Sequence, residues 1–331
     1  MARASQQRTN SSVGSHQNRP SVVHPVSRDR SIKRRSEVNG LCGPMMIIIG
    51  GIILAVAVFA GRSLLRNDEN GANAELVPSI ASIAAIDIHS LLIDPNDPDH
   101  VLFGSHSGIQ ESRDGGFTWH AGTFKNADAM SMAVSPNAPQ TLYTVGHDVF
   151  QISSDGGQSW QALSPNLPST DIHAFTQDPK QPERLFAFVM GFGVYRSDDG
   201  GTTWQELPVQ PGEGSPSALA SNGDALYAAM QFGIAVSLDH GASWTPLSNQ
   251  PPGVAISLVA PASNPELLYA GTLSGLAKST DSGQSWSPVG QFGYPTLALM
   301  AAPSDPNRVI AITQTGAVYR SDDGGESWIK P

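Results

Sequence analysis

One pattern constrains this chain more than any other: Ser-x-Asp-x-Gly-x-x-Trp occurs six times. The copies are Ser112–Trp119 (SRDGGFTW), Ser153–Trp160 (SSDGGQSW), Ser197–Trp204 (SDDGGTTW), Ser237–Trp244 (SLDHGASW), Ser279–Trp286 (STDSGQSW) and Ser321–Trp328 (SDDGGESW). Their serines are spaced by 41, 44, 40, 42 and 42 residues, and all six tryptophans of the chain close a copy. A period in this range marks a repeat architecture, in which one supersecondary unit is stacked on copies of itself.

The pattern describes a hairpin. A box aspartate (Asp114, Asp155, Asp199, Asp239, Asp281, Asp323) can accept hydrogen bonds from backbone N–H groups of the turn that follows it. Glycine supplies the positive φ that such a turn needs. The tryptophan (Trp119, Trp160, Trp204, Trp244, Trp286, Trp328) then opens the next strand and buries a large ring. Each repeat holds further strand signals: an apolar run ending at a proline turn, as in Leu91-Leu92-Ile93-Asp94-Pro95, then runs such as Val101–Gly104 and Gly193–Arg196. Four short strands per repeat make a propeller blade. The predicted fold is therefore all-β, a six-bladed β-propeller of four-stranded antiparallel blades over residues 77–331. The last repeat stops at Trp328-Ile329-Lys330-Pro331, which leaves its fourth strand truncated. Residues 74–80 are expected to reach that blade and cover its edge, since an unpaired edge invites aggregation.

These boxes resemble the Asp-box, or BNR, repeat of the sialidase superfamily, of sortilin-type receptors and of photosystem II assembly factors. The resemblance covers nearly all of residues 77–331. It implies a propeller whose boxes are structural. In sialidase-like enzymes it also implies three arginines on the ligand face, a tyrosine–glutamate nucleophile pair and an aspartate acid. Here the five arginines of the propeller are Arg113, Arg184, Arg196, Arg308 and Arg320, all in or near the box-bearing face, and the Arg-Ile-Pro signature is missing. No catalytic residue is carried over, and six rim carboxylates cannot converge on one substrate.

Before the repeats the chain changes character. Residues 43–61 carry no charge and are mostly apolar (MMIIIGGIILAVAVFA at 45–60). They amount to roughly 28 Å of helix, enough to span a hydrocarbon core. Residues 1–43 carry 8 Lys/Arg against 2 Asp/Glu, a net of +6, so the positive-inside rule places the N-terminus in the cytoplasm and the propeller outside. The predicted organisation is a disordered basic tail (1–42), a transmembrane helix (43–61), a linker (62–76) and the propeller. A cleaved signal peptide is the alternative; the long n-region and the length of the apolar run favour an uncleaved anchor in the cell membrane. The lone Cys42 excludes an internal disulfide. Residues 71–331 carry 9 Lys/Arg against 25 Asp/Glu, a net of −16, which excludes nucleic acid as a partner.

The face opposite the boxes, made of turns between second and third strands and of loops between blades, is where a partner would bind. It is expected to present Met190, Phe192, Met230, Phe232, His106, His147, Phe292 and Tyr294. His89 and His173, with Asp87 and Asp171, form two Asp-Ile-His triplets at the starts of first strands, near the channel mouth. Asp128, Asp148 and Glu213 are the other carboxylates of that face and share no motif. No cofactor is expected, and lacking a tight ligand spacing, no metal. The functional expectation is a non-catalytic binding or assembly module for a protein or glycan partner; the alternative is a glycosyl hydrolase-like enzyme with a non-sialidase site.

Overall fold

The computed structural model describes residues 77–331 apart from position 86. The tail, the apolar segment at 43–61 and the linker lie outside these residues. Among the described residues no helix is long and apolar enough to cross a membrane.

Six four-stranded antiparallel sheets form the six blades. Blade 1 comprises Ser90–Ile93, Val101–Ser105, Gly108–Ser112 and His120–Lys125. Blades 2 to 5 repeat that meander, each strand paired with the next in sequence. The first strands pack side by side in a closed ring, blade 6 against blade 1 included. Each second strand carries five consecutive buried residues, as in Leu185–Val189 (LFAFV) and Leu226–Met230 (LYAAM), because both its faces meet neighbouring blades. The core is accordingly divided into six apolar clusters, one at each junction between consecutive blades.

The ring closes with a composite strand. Blade 6 contributes Thr296–Ala302, Asp305–Thr313 and Ala317–Ser321. Its fourth position is filled from both ends of the propeller. Ile329 donates its N–H to Arg320 (2.9 Å), while Ile80 donates to Val318 and Ile83 to Gly316 (both 2.8 Å). The N-terminal strand itself is Ala81–Ser82, so closure sits a few residues later than the 74–80 expected from sequence. Ile80 and Ile83 are buried in the cluster shared by blades 6 and 1. On the box face Arg308 and Arg320 of blade 6 both reach Asp99 of blade 1, at 2.8 and 3.5 Å.

The boxes use more of their sequence than the pattern suggested. In each, one aspartate oxygen accepts from the box serine hydroxyl and from the backbone N–H of the residue before the tryptophan; in blade 4 both contacts are 2.8 Å. The other oxygen accepts the hydroxyl of that same residue, which is Thr118, Ser159, Thr203, Ser243, Ser285 or Ser327. The seventh position is thus always a hydroxyl, a regularity that the sequence reading left unassigned. These donors hold Asp155, Asp199, Asp239 and Asp323 at a pKa of about 2, the neighbouring hydroxyl being the largest cause. The turn contains two consecutive residues with positive φ. The first has φ near that of a left-handed helix, and His240 (56°) and Ser282 (57°) are tolerated there. The second lies at 85° to 100° and is glycine in all six boxes, because side chains rarely reach that region.

Candidate functional site

Antiparallel pairing sends the start of every first strand to the same end of its blade as the turn between second and third strands. Ser90 opposite Gly104 and Ser131 opposite Val145 show this register. The boxes and the loops joining first to second strands occupy the other end. All five arginines of the described residues are committed to acidic partners there or on the adjoining blade surface. Arg113 pairs with Glu111, Arg184 with Asp178 and Asp198, Arg196 with Asp198, and Arg308 and Arg320 with Asp99 and Asp322. The face opposite the boxes has no arginine among the described residues with which to hold a carboxylate.

On that face, blades 1 to 3 carry a continuous row of alternating carboxylates and imidazoles. Asp87, Asp128 and Asp171 stand three residues before Ser90, Ser131 and Ala174, each of which pairs with the second strand of its own blade. Asp87 accepts the backbone N–H of His106 (2.8 Å), and Asp128 that of His147 (3.0 Å), so each carboxylate fixes the turn of its own blade. The side chains then link from blade to blade. Asp87 lies 3.0 Å from His89 Nε2 and also binds His106 Nδ1. His106 Nε2 is 3.8 Å from Asp128, whose Oδ2 receives His147 Nδ1 at 2.6 Å. His147 Nε2 faces Asp171 Oδ1 at 3.6 Å, and His173 Nε2 ends the row at 2.9 Å from that same oxygen. The imidazoles of His89 and His173 are pushed below the ordinary histidine value chiefly by burial. A backbone bridge between Gly146 and Asp171 locks blade 2 to blade 3 beneath the row.

His106 and His147 are therefore half-exposed members of this row, not isolated surface groups. The structure also gathers Asp128 into it, a residue that sequence had placed among unrelated carboxylates. Its blade lacks the Asp-Ile-His triplet because Met130 occupies the histidine position.

The aromatic positions divide. Phe192 (51 % exposed) and Phe232 (86 %) project from equivalent turns of blades 3 and 4, and Tyr294 (51 %) from the approach to blade 6. Phe192 borders a depression of about 220 Å³ that is also lined by Gln210, Pro211, Ser215 and Pro216. Phe292 and Met230 are corrections. Phe292 is 2 % exposed, stacked on Tyr319 (4.0 Å between centroids) and edge-on to Trp328. Met230 is buried, and Met190 partly so, in the cluster between blades 3 and 4. They support the turns from below and offer no binding surface of comparable size.

A family model described as "Photosynthesis system II assembly factor YCF48" matches residues 81–233. Among solved structures the chain is similar to the GH74 xyloglucanase from Xanthomonas campestris, at 17% identity and a TM-score of 0.52 over 74% of this chain. It covers 46% of that enzyme, less than half its length. It is also similar to the nidogen/laminin complex, at 12% identity and a TM-score of 0.53, covering 64% of this chain and 83% of that one. A structure of YCF48 bound to D1 peptide matches at 22% identity and a TM-score of 0.48, covering 79% and 84% of the two chains. No curated protein matches by sequence.

Proposed function

We propose, from the premise that this chain is an Asp-box (BNR-type) repeat propeller, that it is a non-catalytic module which binds a protein partner on the face opposite its boxes. The observation that carries this reading is the pair Phe192 and Phe232, two large apolar side chains exposed at equivalent turns of adjacent blades. Exposed aromatics beside a shallow depression are the kind of anchor on which protein interfaces concentrate their energy. The family model's description as an assembly factor supports the same class of role. The apolar segment 43–61 and the basic residues before it support an uncleaved anchor in the cell membrane, with the propeller on the outer side.

The test is crosslinking of the full-length chain in its own membrane, comparing the wild type with a Phe192→Ala/Phe232→Ala variant. Loss of the crosslinked partners from a variant that still folds is the expected result. An unchanged partner set would overturn the reading.

A second reading, hydrolysis of a glycan, has one observation in its favour: Asp87, Asp128 and Asp171 lie in a single row on the face opposite the boxes. Against it, each of the three is already bound to a histidine ring nitrogen. A glycoside hydrolase needs two carboxyl groups free to act on opposite sides of one bond.

A further inference from the structure

The row contains three overlapping groups of one carboxylate and two imidazoles. In the end group, His147, Asp171 and His173, both ring nitrogens stand 2.9 Å or more from the shared oxygen, against 2.6 Å for the nearer one in the middle group. In the other two groups one imidazole is drawn tightly onto the carboxylate. Asp87 is closed on His106 Nδ1, and Asp128 on His147 Nδ1 at 2.6 Å. A carboxylate can only accept a hydrogen bond, so the proton of neutral His147 sits on Nδ1 and its Nε2 carries a lone pair. That lone pair faces Asp171 Oδ1, a second acceptor, at 3.6 Å. With the ring neutral, these two acceptors and the second imidazole beside them form a set of donor atoms that a cation can bridge.

We propose that His147 Nε2, Asp171 Oδ1 and His173 Nε2 form a site for a divalent transition-metal ion of the zinc type. The three atoms lie within 4.8 Å of one another, with individual separations of 3.6 and 2.9 Å to the shared oxygen. Ligands at about 2.0–2.2 Å from a tetrahedral ion stand roughly 3.4 Å apart, so small rotations of the rings suffice. Two imidazoles and one carboxylate suit zinc better than calcium or magnesium, which take oxygen ligands. Asp128 completes the arrangement from behind. It is almost entirely buried and holds the distal nitrogen of His147, as a carboxylate behind a metal-bound histidine does to fix its tautomer and orientation. On binding, the ring proton of His173 moves from Nε2 to Nδ1. The ligands come from two blades joined by the Gly146–Asp171 bridge. All three side chains remain partly exposed, which leaves a coordination position open to solvent or to a partner's ligand. The site does not depend on the protein-binding reading.

The experiment is a Zn²⁺ titration of the purified full-length chain after chelator treatment, with Co²⁺ absorption as a second readout. The wild type is expected to bind one equivalent. His173→Ala and Asp171→Asn should each weaken binding by at least about tenfold, and Asp128→Asn by about 10–100-fold, with far-UV circular dichroism unchanged. His89→Ala should leave the affinity within about twofold, because His89 belongs to the other end of the row. If His173→Ala does not fold, His173→Gln replaces it. Binding of much less than one equivalent by the wild type, or wild-type affinity in the His173 and Asp171 variants, would overturn the assignment. So would loss of binding in His89→Ala, which would place the ion in blade 1.

Discussion

The backbone N–H of Ile80 donates to the carbonyl of Val318 at 2.8 Å, joining the start of the propeller to its last blade across 238 positions of sequence (318 − 80). Ring closure therefore depends on a segment outside the six repeats. Ile83, 3 % exposed in the cluster between blades 6 and 1, anchors that segment. Ile83→Ala should cost about 2–5 kcal/mol in denaturant unfolding, the usual range for a buried isoleucine. An unchanged midpoint would mean that the composite strand is not what closes the ring.

The boxes should make the fold sensitive to strong acid. Asp155, Asp199, Asp239 and Asp323 have folded pKa values of about 2, below the ordinary 3.8. A depressed folded value means that the stabilisation is complete above the unfolded pKa. It is then lost as pH falls from 3.8 through about 2. Melting temperature measured from pH 5 downwards should hold steady and then drop within that window. Ser159→Ala removes the first donor to Asp155 and should make the drop shallower.

Much of this was legible in sequence, because the repeat period, the tryptophans and the box geometry are all local. Six blades, the face carrying the boxes and the location of the arginines follow from residues a few positions apart. The rest depends on contacts between blades. Asp128 had no motif to announce it, since Met130 stands where blades 1 and 3 have histidine, and its link to His106 exists only because blade 2 packs on blade 1. Phe292 looks like a loop aromatic until Tyr319, in the next blade, is placed beneath it. The position of Ala81–Ser82 against blade 6 was off by several residues because nothing in the segment itself sets its register.

The two positive-φ positions of each box should respond differently to substitution. Gly241 has φ of 91°, and a Cβ there would meet Leu207 of the preceding blade at 2.5 Å. Gly241→Ala should destabilise by on the order of 1–3 kcal/mol through strain alone. Its neighbour His240, at 56°, already holds a side chain, and His240→Gly should change stability by less than about 1 kcal/mol. Equal losses in the two variants, measured by denaturant unfolding, would contradict the assignment of distinct roles.

The central claim, that the face opposite the boxes binds a protein, is tested most directly by site-specific photocrosslinking in the native membrane. A photoreactive residue at Phe232 reports on that face, and one at Leu238, 76 % exposed within a box, reports on the other. The account predicts a discrete crosslinked protein from position 232 and none from position 238. Crosslinking from position 238 alone, or none from position 232, would contradict it.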